Sequence, residues 1–295
     1  MSTDTRLRVG VDGGGSGTRL IASMGVQKVT ASAGPSGLGL GVARAWQQIM
    51  TALTEAQNTL GCAVDTRDCH LALGLAGANQ RRWHDAFLMA APDFASVRLE
   101  TDAFTTLMGA HAGAPGVIIA LGTGSVGEAL HADGRRVCVG GYGFPSGDEA
   151  SGAWLGLRAS THAQKALDGR VAPDNFSQAL CAAMANSSGP VDDASTLVHW
   201  LSEADQTCFA SLAPVVLEHA DHPVAQALLR AAGEEVALMV QALDPMSELP
   251  VALCGGLGQA LTHWVPTELA ARLVAPQGTS VEGALLLAHE NISPF

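Results

Sequence analysis

The sequence predicts an α/β protein made of two halves, each opened by a glycine-rich turn between two strands. The first such unit is VGVDGGGSGT, residues 9–18, in which an apolar strand ends at an Asp and three glycines. The second is VIIALGTGSVGEAL, residues 117–130, which repeats the order of apolar strand, glycine turn with hydroxyls, and second strand. Elsewhere, short apolar runs of strand length alternate with segments of helical periodicity, as in sheets covered by helices.

The composition is that of a compact enzyme and limits the classes of partner. The chain has 295 residues, of which 47% are hydrophobic and 34 are glycine. A net charge of -12 disfavours nucleic acid and anionic membranes, although backbone amides and a metal ion can still hold phosphates. The N-terminus has no signal-peptide core, no membrane-span pattern occurs, and six cysteines without a CxxC pair indicate free thiols. We therefore expect a soluble, cytoplasmic protein.

The first half is predicted to contain five strands and three helices. The helices are expected at 38–60, with Gly61 as the stop, at 79–91, with Asn79 as the N-cap, and from Asp102 to about 111. Asp102 directly follows a strand, which is where open α/β sheets place their ligands. The strands are expected near 9–12, 18–22, 26–31, 69–76 and 97–100.

The second half is predicted to begin near residue 113, which divides the chain into an N-terminal lobe, 1–112, and a C-terminal lobe, 113–295. After residues 117–130 we expect a strand at 137–139 and a helix from Asp148-Glu149 to 167. Residues 173–219 are predicted to be mostly helical, with breaks near 189–190 and near Pro214. Further helices are expected at 225–243, from 259 and at 279–290, with strands at 251–254 and 272–275.

Three glycine-rich turns, each at the end of an apolar strand, point to a nucleotide held in a cleft between two lobes. The third is VALCGGLG, residues 251–258. Glycines let backbone N–H groups converge on an anion, and Ser16 and Thr18 add hydroxyl donors. Asp12 could hold Mg²⁺ through water. The Walker and dinucleotide-binding patterns are absent. For the first stretch taken alone, a hairpin turn without a ligand is the alternative.

These motifs resemble those of the superfamily of sugar kinases, heat-shock protein 70 and actin. DGGGSGT, GTGS and CGGLG resemble its first phosphate, second phosphate and adenosine motifs. Over nearly its whole length the chain is similar to the BadF/BadG/BcrA/BcrD ATPase family, in its N-acetylglucosamine kinase and glucosamine kinase branch, most specifically in GGYGFPSGDEASGAW. The resemblance implies two ribonuclease-H-like (actin-like ATPase) lobes with an interlobe cleft, a homodimer, ATP and Mg²⁺ as ligands, and phosphorylation of the 6-hydroxyl of an amino sugar.

The resemblance also assigns roles to residues. Asp102 matches the general base, and Asp12 would help to position Mg²⁺. The implied phosphate-binding residues are Gly13, Gly14, Gly15, Ser16, Thr18, Gly122, Thr123, Gly124 and Ser125. The implied adenosine-binding residues are Ala232, Gly233, Cys254, Gly255 and Gly256. The implied sugar-binding residues are Ser36, Leu38, Asp102, Gly141, Tyr142, Gly143 and Asp148.

Two departures from the family pattern leave details open. Gly17 stands where many relatives have a lysine, so a phosphate contact is missing or is supplied by Arg19. Leu38 stands where an asparagine often contacts the sugar, and a leucine side chain forms no hydrogen bond, so the identity of the hexosamine is open.

Other interpretations remain at this point. Asp102 could be a helix N-cap, and Asp148-Glu149 could simply favour a helix N-terminus. The ten histidines form no HxxxH or HExxH pattern and are interpreted as surface or packing residues. At the level of function, the alternatives are an ATPase that activates a radical dehydratase, for which paired cysteines are lacking, and a non-catalytic sugar or nucleotide sensor.

Overall fold

The computed structural model describes residues 6–185 and 189–289, which fold as two compact α/β units. The first unit comprises residues 6–116 together with 275–289, and the second comprises residues 117–274. The division thus lies close to the predicted residue 113. The C-terminal segment, which the predicted bounds include in the second lobe although the sequence left the packing of its helix open, packs with the first unit.

The first unit contains a five-stranded sheet with the order β3-β2-β1-β4-β5. The three strands β1, β2 and β3 are antiparallel neighbours, whereas β4 runs parallel to both β1 and β5. All five predicted strands are therefore present. Their bounds are β1 Leu7–Gly13, β2 Thr18–Met24, β3 Gln27–Ala33, β4 Cys69–Leu75 and β5 Ser96–Glu100.

Three helices follow the sheet of the first unit in sequence: α1 Val42–Leu60, α2 Arg81–Met89 and α3 Asp102–Ala110. Gly61 adopts the left-handed conformation after α1, which confirms it as the stop. The prediction of Asn79 as the N-cap of α2 is wrong, because Gln80 occupies that position without a side-chain cap bond. Residues 38–40, predicted as helical with α1, form a separate 3-10 turn.

The last helix, α12 (Ser280–His289), packs on β1 and α3 of the first unit. Two glycines permit this contact. A Cβ at Gly10 of β1 would meet the α12 backbone at Leu285, and a Cβ at Gly283 would meet Thr105 O of α3. Ile21, Val281 and Leu285 form a small apolar cluster between α12 and the sheet. The predicted helix extended to Glu290, which lies outside the described residues.

The second unit contains a four-stranded sheet with the order β8-β7-β6-β9. β6 and β9 are parallel, and β7 and β8 are antiparallel. The prediction of a strand at 272–275 is wrong for the described residues, where only Leu273 pairs, by a single bridge to Val251. The bounds are β6 Gly116–Leu121, β7 Ser125–Leu130, β8 Arg136–Gly140 and β9 Val251–Cys254.

Helices cover this second sheet and enclose a large apolar core. α4 begins later than predicted, because Ser151 rather than Asp148 is its N-cap. The predicted break near Pro214 is confirmed, because the preceding helix ends at Ala210 and α8 begins at Ala213, with Pro214 in its first turn, where a proline costs no hydrogen bond. The bounds are α4 Gly152–Leu167, α5 Asn175–Ala183, α6 Ala194–Glu203, α7 Gln206–Ala210, α8 Ala213–Glu218, α9 Pro223–Leu243, α10 Gly258–Leu261 and α11 Thr267–Ala270.

Within residues 6–185 and 189–289, no helix has both the length and the apolar character required to cross a lipid bilayer.

Candidate active site

Two carboxylates lie at the carboxyl edge of the parallel strands in the first unit. Asp12 is opposite Gly74 in the β1–β4 register, and Gly74 is opposite Glu100 in the β4–β5 register. Asp102 follows Glu100 by two residues and begins α3. The sheet therefore brings together Asp12 and Asp102, which are 90 residues apart in the chain, at the edge where open α/β sheets bind ligands.

Asp12 is held at both carboxylate oxygens. Ser280 Oγ donates to Oδ1 over 2.9 Å, and Arg19 Nη2 lies 3.0 Å from Oδ2. An ionised carboxylate has about four acceptor sites, so these two bonds leave room for water ligands of a metal ion. This donor set fits Mg²⁺ bound through water. Arg19, which the sequence offered as a replacement for a missing lysine, supplies a positive charge beside Asp12.

Asp102 has few partners compared with Asp12. Thr101, not Asp102, is the N-cap of α3, because its Oγ1 accepts from Phe104 N over 3.1 Å. The Asp102 carboxylate accepts only from Ala103 N, over 3.0 Å, among the described residues. Burial raises the pKa of Asp102, the bond from Ala103 opposes this shift, and the charge of Asp12 raises it further. The capping interpretation of Asp102 is therefore wrong, and its carboxylate is available to accept a proton.

The first glycine turn is tied to the chain that follows β3. Gly14 O accepts from Ser36 N and Gly37 N, over 3.1 and 3.0 Å, so residues 36–37 support the turn. Thr18 Oγ1 lies within hydrogen-bond distance of Gly34 O and Ser36 Oγ, at 2.6 and 2.7 Å. Gly15 and Ser16 form the exposed tip of the turn. The Thr18 hydroxyl is thus used inside the protein, whereas the tip is open to an anion.

Ser36 and Leu38 are fully enclosed in the first unit. Ser36 is 0% exposed and Leu38 is 1% exposed, and Leu38 belongs to the main apolar core of that unit. The structure therefore gives both residues a packing role beneath the first glycine turn. The leucine at position 38 is explained by this burial.

In the second unit, the other two glycine turns lie side by side. They follow β6 and β9, which are parallel neighbours. Leu257 N donates to Leu121 O over 3.0 Å, and Gly255, with φ +82°, comes so close to Leu121 O that a Cβ would collide with it. The turn after β6 and the turn after β9 are therefore in direct contact. Cys254 itself is buried at the end of β9, and burial raises the pKa of its thiol to about 11.

The loop that carries Asp148 packs on the second glycine turn. Ser125 Oγ donates to Glu149 O over 2.6 Å, and Gly152 N donates to Gly122 O over 2.8 Å. Asp148 is buried and has φ +59°, a left-handed conformation that costs free energy in residues other than glycine but that Asp tolerates better than most. Asp148 and Glu149 precede α4, so their interpretation as first-turn helix residues is wrong.

Of the remaining candidate sugar- and adenosine-binding residues in the second unit, some lie on the surface and others in the interior. Gly141 and Gly143 have φ of +71° and +87°, and the Tyr142 side chain between them is 88% exposed. Ala232 and Gly233 are buried in α9, where a Cβ at Gly233 would meet Trp264 O. The structure therefore gives these two small residues a packing role, whereas Gly256 is exposed at the third turn.

Two polar residues that contact the candidate carboxylates were not found from the sequence. Ser280 begins α12 and bonds to Asp12, and Gln206 begins α7 and donates Nε2 to Asp148 Oδ2 over 2.7 Å. Ser280 Oγ is also 2.8 Å from Thr105 Oγ1 of α3. Neither residue belongs to a motif, and each is far from its partner in sequence, so no local pattern could have indicated the contact.

His162, Asp174 and His222 form a cluster in which the nearest possible ligand atoms lie within 4.8 Å of one another. The Nε2 atoms of His162 and His222 are 2.9 and 3.2 Å from Asp174 Oδ2. Val224 N donates to Nδ1 of His222 over 3.3 Å, so the proton of a neutral ring lies on Nε2. A metal ion would need the lone pair of that same nitrogen. We therefore interpret the cluster as a hydrogen-bonded contact that connects α4, α5 and the start of α9.

Comparison with known proteins identifies two curated relatives, one over almost the whole chain and one over about half of it. The chain is 33% identical to glucosamine kinase GspK from Vibrio cholerae over 286 residues, 95% of each protein. It is 28% identical to an N-acetylmuramic acid/N-acetylglucosamine kinase from Clostridium acetobutylicum over 169 residues, 55% of each.

A solved structure shows the same fold at higher identity. It is a Chromobacterium violaceum protein provisionally assigned as an N-acetylglucosamine kinase, 47% identical, with a TM-score of 0.90. The match covers 97% of this chain and 100% of that one. The predicted α/β fold with two ribonuclease-H-like lobes is thereby confirmed. With a family model matching residues 9–288, the chain belongs to the BadF/BadG/BcrA/BcrD ATPase family.

Proposed function

We propose that this protein is an ATP-dependent hexosamine kinase that transfers the γ-phosphoryl group to the 6-hydroxyl of glucosamine or N-acetylglucosamine. The observation that carries the proposal is the 33% identity to a glucosamine kinase over 95% of both chains. The 47% identical structure, provisionally assigned as an N-acetylglucosamine kinase, supports the same substrate class.

The chemistry is assigned to Asp102 as the general base. Its carboxylate has one bond from a neighbouring amide and no cation beside it among the described residues. Burial raises its pKa, which makes the ionised form a stronger base toward a hydroxyl. In the proposed step the sugar 6-oxygen forms a bond to the γ-phosphorus as the bond to the β-phosphate oxygen breaks. The hydroxyl proton moves to Asp102.

The glycine turns are assigned to the phosphates. Phosphoryl transfer depends on positioning and charge stabilisation, which backbone amides can provide without side-chain chemistry. The tip at Gly15 and Ser16 and the turn from Gly122 to Ser125 are the proposed anion sites, and Gly255 and Gly256 border the adenosine. Asp12 would hold Mg²⁺ through water, and the bound ion would neutralise charge on the phosphate oxygens.

The sugar contacts are assigned to Asp102, Gly141, Tyr142, Gly143 and Asp148. Ser36, Leu38, Thr18, Ala232 and Gly233 are left out of the ligand contacts, because their side chains or helix faces are buried. The proposal therefore differs from the family pattern where an asparagine contact is replaced by Leu38. The substrate screen must therefore decide whether the substrate carries an acetyl group, that is, whether it is N-acetylglucosamine or glucosamine.

A coupled assay of ADP release tests the proposal. The purified protein would be screened with ATP and Mg²⁺ against glucosamine, N-acetylglucosamine, N-acetylmannosamine, N-acetylmuramic acid and glucose. We expect turnover with glucosamine or N-acetylglucosamine, and phosphorus–proton coupling at position 6 of the product by NMR. Turnover that no sugar stimulates, or a phosphate at another position, would contradict the proposal.

A further inference from the structure

We propose that Gln206 is a positioning residue of the sugar subsite, which holds Asp148 in the orientation that accepts a sugar hydroxyl. This inference rests on the proposed function, because it concerns the affinity of the same site for its sugar. Gln206 lies 58 residues after Asp148, at the start of α7. No motif includes it.

The hydrogen bond from Gln206 occupies one oxygen of the Asp148 carboxylate and leaves the other oxygen for a ligand. Oδ2 accepts from Gln206 Nε2 over 2.7 Å, and within the part of the chain that the structure describes no donor bonds to Oδ1. Asp148 is nevertheless only 6% exposed. Among the described residues, the buried side-chain nitrogen or oxygen without a hydrogen-bond partner is Trp154 Nε1, so the unpaired Oδ1 of Asp148 is not fully buried. A ligand can therefore donate to Oδ1 without breaking a hydrogen bond within the protein. Oδ1 is therefore suited to accept a hydrogen bond from a bound hydroxyl.

The choice of an amide at position 206 matters for the charge of the subsite. A lysine or arginine at this position would neutralise Asp148 and compete with the ligand for its oxygens. A neutral amide fixes Oδ2 but leaves the negative charge, and an ionised acceptor forms shorter and stronger bonds with hydroxyl donors. Gln206 thus orients the carboxylate without using up its capacity to bind a sugar.

The position of Gln206 is itself fixed by packing. Asp205 caps α7 by accepting from Cys208 N over 2.9 Å. α7 packs directly on α4, where a Cβ at Gly156 would collide with Phe209 O. The amide is therefore held rigidly relative to the helix that follows the Asp148 loop.

The turn at Gly124 packs against the hydrogen bond between Gln206 and Asp148. A Cβ at Gly124 would lie 2.8 Å from Asp148 Oδ2 and 3.3 Å from Gln206 Nε2. The bond from Gln206 to Asp148 is therefore packed against the turn proposed to hold phosphate. This packing leaves little freedom for the carboxylate to rotate once its amide partner is in place.

The test compares Gln206→Ala and the isosteric Gln206→Glu with the control Thr207→Ala, which changes an exposed neighbour in the same short helix. Steady-state kinetics would give separate KM values for sugar and ATP, calorimetry the sugar Kd without ATP, and thermal unfolding the stability. For Gln206→Ala we expect a rise of at least about tenfold in the sugar KM and Kd, since Asp148 is no longer held in the orientation in which its charged oxygen accepts a sugar hydroxyl. The ATP KM should stay within about twofold.

Gln206→Glu keeps the shape of the side chain and replaces the donor by an acceptor. Two carboxylates at this distance repel when both are ionised and can share one proton at lower pH. We expect the sugar KM of this variant, divided by that of the wild type at the same pH, to rise with pH, whereas the same ratio for Thr207→Ala should stay constant. A purely structural role of Gln206 would not produce this pH profile.

The outcomes separate this inference from the proposed function. If the wild type phosphorylates a hexosamine but both Gln206 variants keep a sugar KM within twofold of it, only the role of Gln206 is rejected. That role is likewise rejected if the ATP KM rises as much as the sugar KM. If Gln206→Ala unfolds, the pH dependence of the sugar KM of Gln206→Glu decides whether Gln206 has this role. A wild type that neither turns over nor binds any hexosamine rejects both.

Discussion

At the scale of single residues, Asp12 and Asp102 occupy the same sheet edge in opposite environments. Asp12 has a hydroxyl donor and an arginine at its two oxygens, whereas Asp102 has one backbone amide. Burial and the nearby charge of Asp12 both raise the pKa of Asp102. This difference supports Asp12 as the residue that would face a metal ion and Asp102 as the group that takes up a proton.

Substitution of Asp102 by Asn should abolish most of the turnover while leaving binding intact. Loss of a general base typically costs about 10²- to 10⁴-fold in rate. We therefore expect kcat to fall at least about 100-fold, with the Kd values of sugar and ATP measured by calorimetry within about threefold of wild type. Near-normal kcat would remove Asp102 from the mechanism.

The pH dependence of kcat/KM for the wild type should also reflect Asp102 as the base. The pKa of Asp102 is raised above its ordinary value of 3.8, so protonation disables the base at a higher pH than for an exposed aspartate. We expect kcat/KM to decline as the pH falls through that raised pKa, on the acid side of the profile. An acid limb at or below pH 3.8, measured where the protein stays folded, would contradict the assignment.

Ser280 should affect the metal dependence of the reaction through Asp12. Ser280→Ala removes the donor to Asp12 Oδ1, which leaves Arg19 as the partner of this carboxylate among the described residues. We expect the Mg²⁺ concentration for half-maximal activity to rise several-fold, with the sugar KM unchanged. Ser280→Thr, which keeps a hydroxyl, is the matched variant and should restore the wild-type dependence. Equal Mg²⁺ curves for wild type and Ser280→Ala would refute this role.

At the scale of elements, helix α12 comes from the C-terminal segment of the chain and completes the packing of the first unit. It carries Ser280 at its start and packs against α3, whose first residue is Asp102. The close approach of the two helices requires Gly283, since a Cβ there would collide with Thr105 O. The position of the candidate base is therefore linked to a helix that is remote in sequence.

Gly283→Ala should destabilise the protein by separating α12 from α3. Inserting a methyl group into a closely packed contact costs about 1–3 kcal/mol, even though alanine favours a helix. Denaturant unfolding would measure the loss, with Leu286→Ala, a change at a side chain of the same helix that is 39% exposed, as the control. The control should change stability by less than about 0.5–1 kcal/mol. A stabilised Gly283→Ala protein would show that the helices have room to adjust.

At the scale of the whole molecule, the chain forms two units, and the first is completed by residues from both ends of the described sequence. The first sheet and α1–α3 precede residue 117, and α12 follows residue 274. The second unit is formed by one continuous segment. This arrangement places both candidate carboxylates of the first unit in contact with, or next to, a helix that follows the second unit in the chain.

Hydrogen exchange should reveal that α12 shares the stability of the first unit. Leu53→Ala in the core of the first unit and Leu180→Ala in the core of the second are each expected to cost about 2–5 kcal/mol. We expect faster amide exchange in residues 280–289 for Leu53→Ala only, measured by mass spectrometry under native conditions. Faster exchange there for Leu180→Ala alone would contradict the assignment of α12 to the first unit.

The local chemistry of glycine turns and strands explains why much of the fold was predictable. Apolar runs followed by glycine located the strands β1, β4, β6 and β9, and Gly61 located the end of α1, because each depends on neighbouring residues alone. Helix starts were less accurate. Asn79, Asp102 and Asp148 are all plausible caps by residue type, yet Gln80, Thr101 and Ser151 occupy those positions. Which of several neighbouring residues is the N-cap depends on the backbone geometry at the start of the helix, which the residue types do not specify.

Thus the sequence by itself determined the α/β class, the three glycine turns and the two candidate carboxylates Asp102 and Asp148, because strand patterns and turn residues act over short distances. Tertiary structure alone decided that Leu38, Ser36 and Gly233 are buried, that α12 joins the first unit, and that Ser280 and Gln206 hold the carboxylates of Asp12 and Asp148. Those facts depend on contacts between segments far apart in the chain, which only the packed sheets and helices bring together.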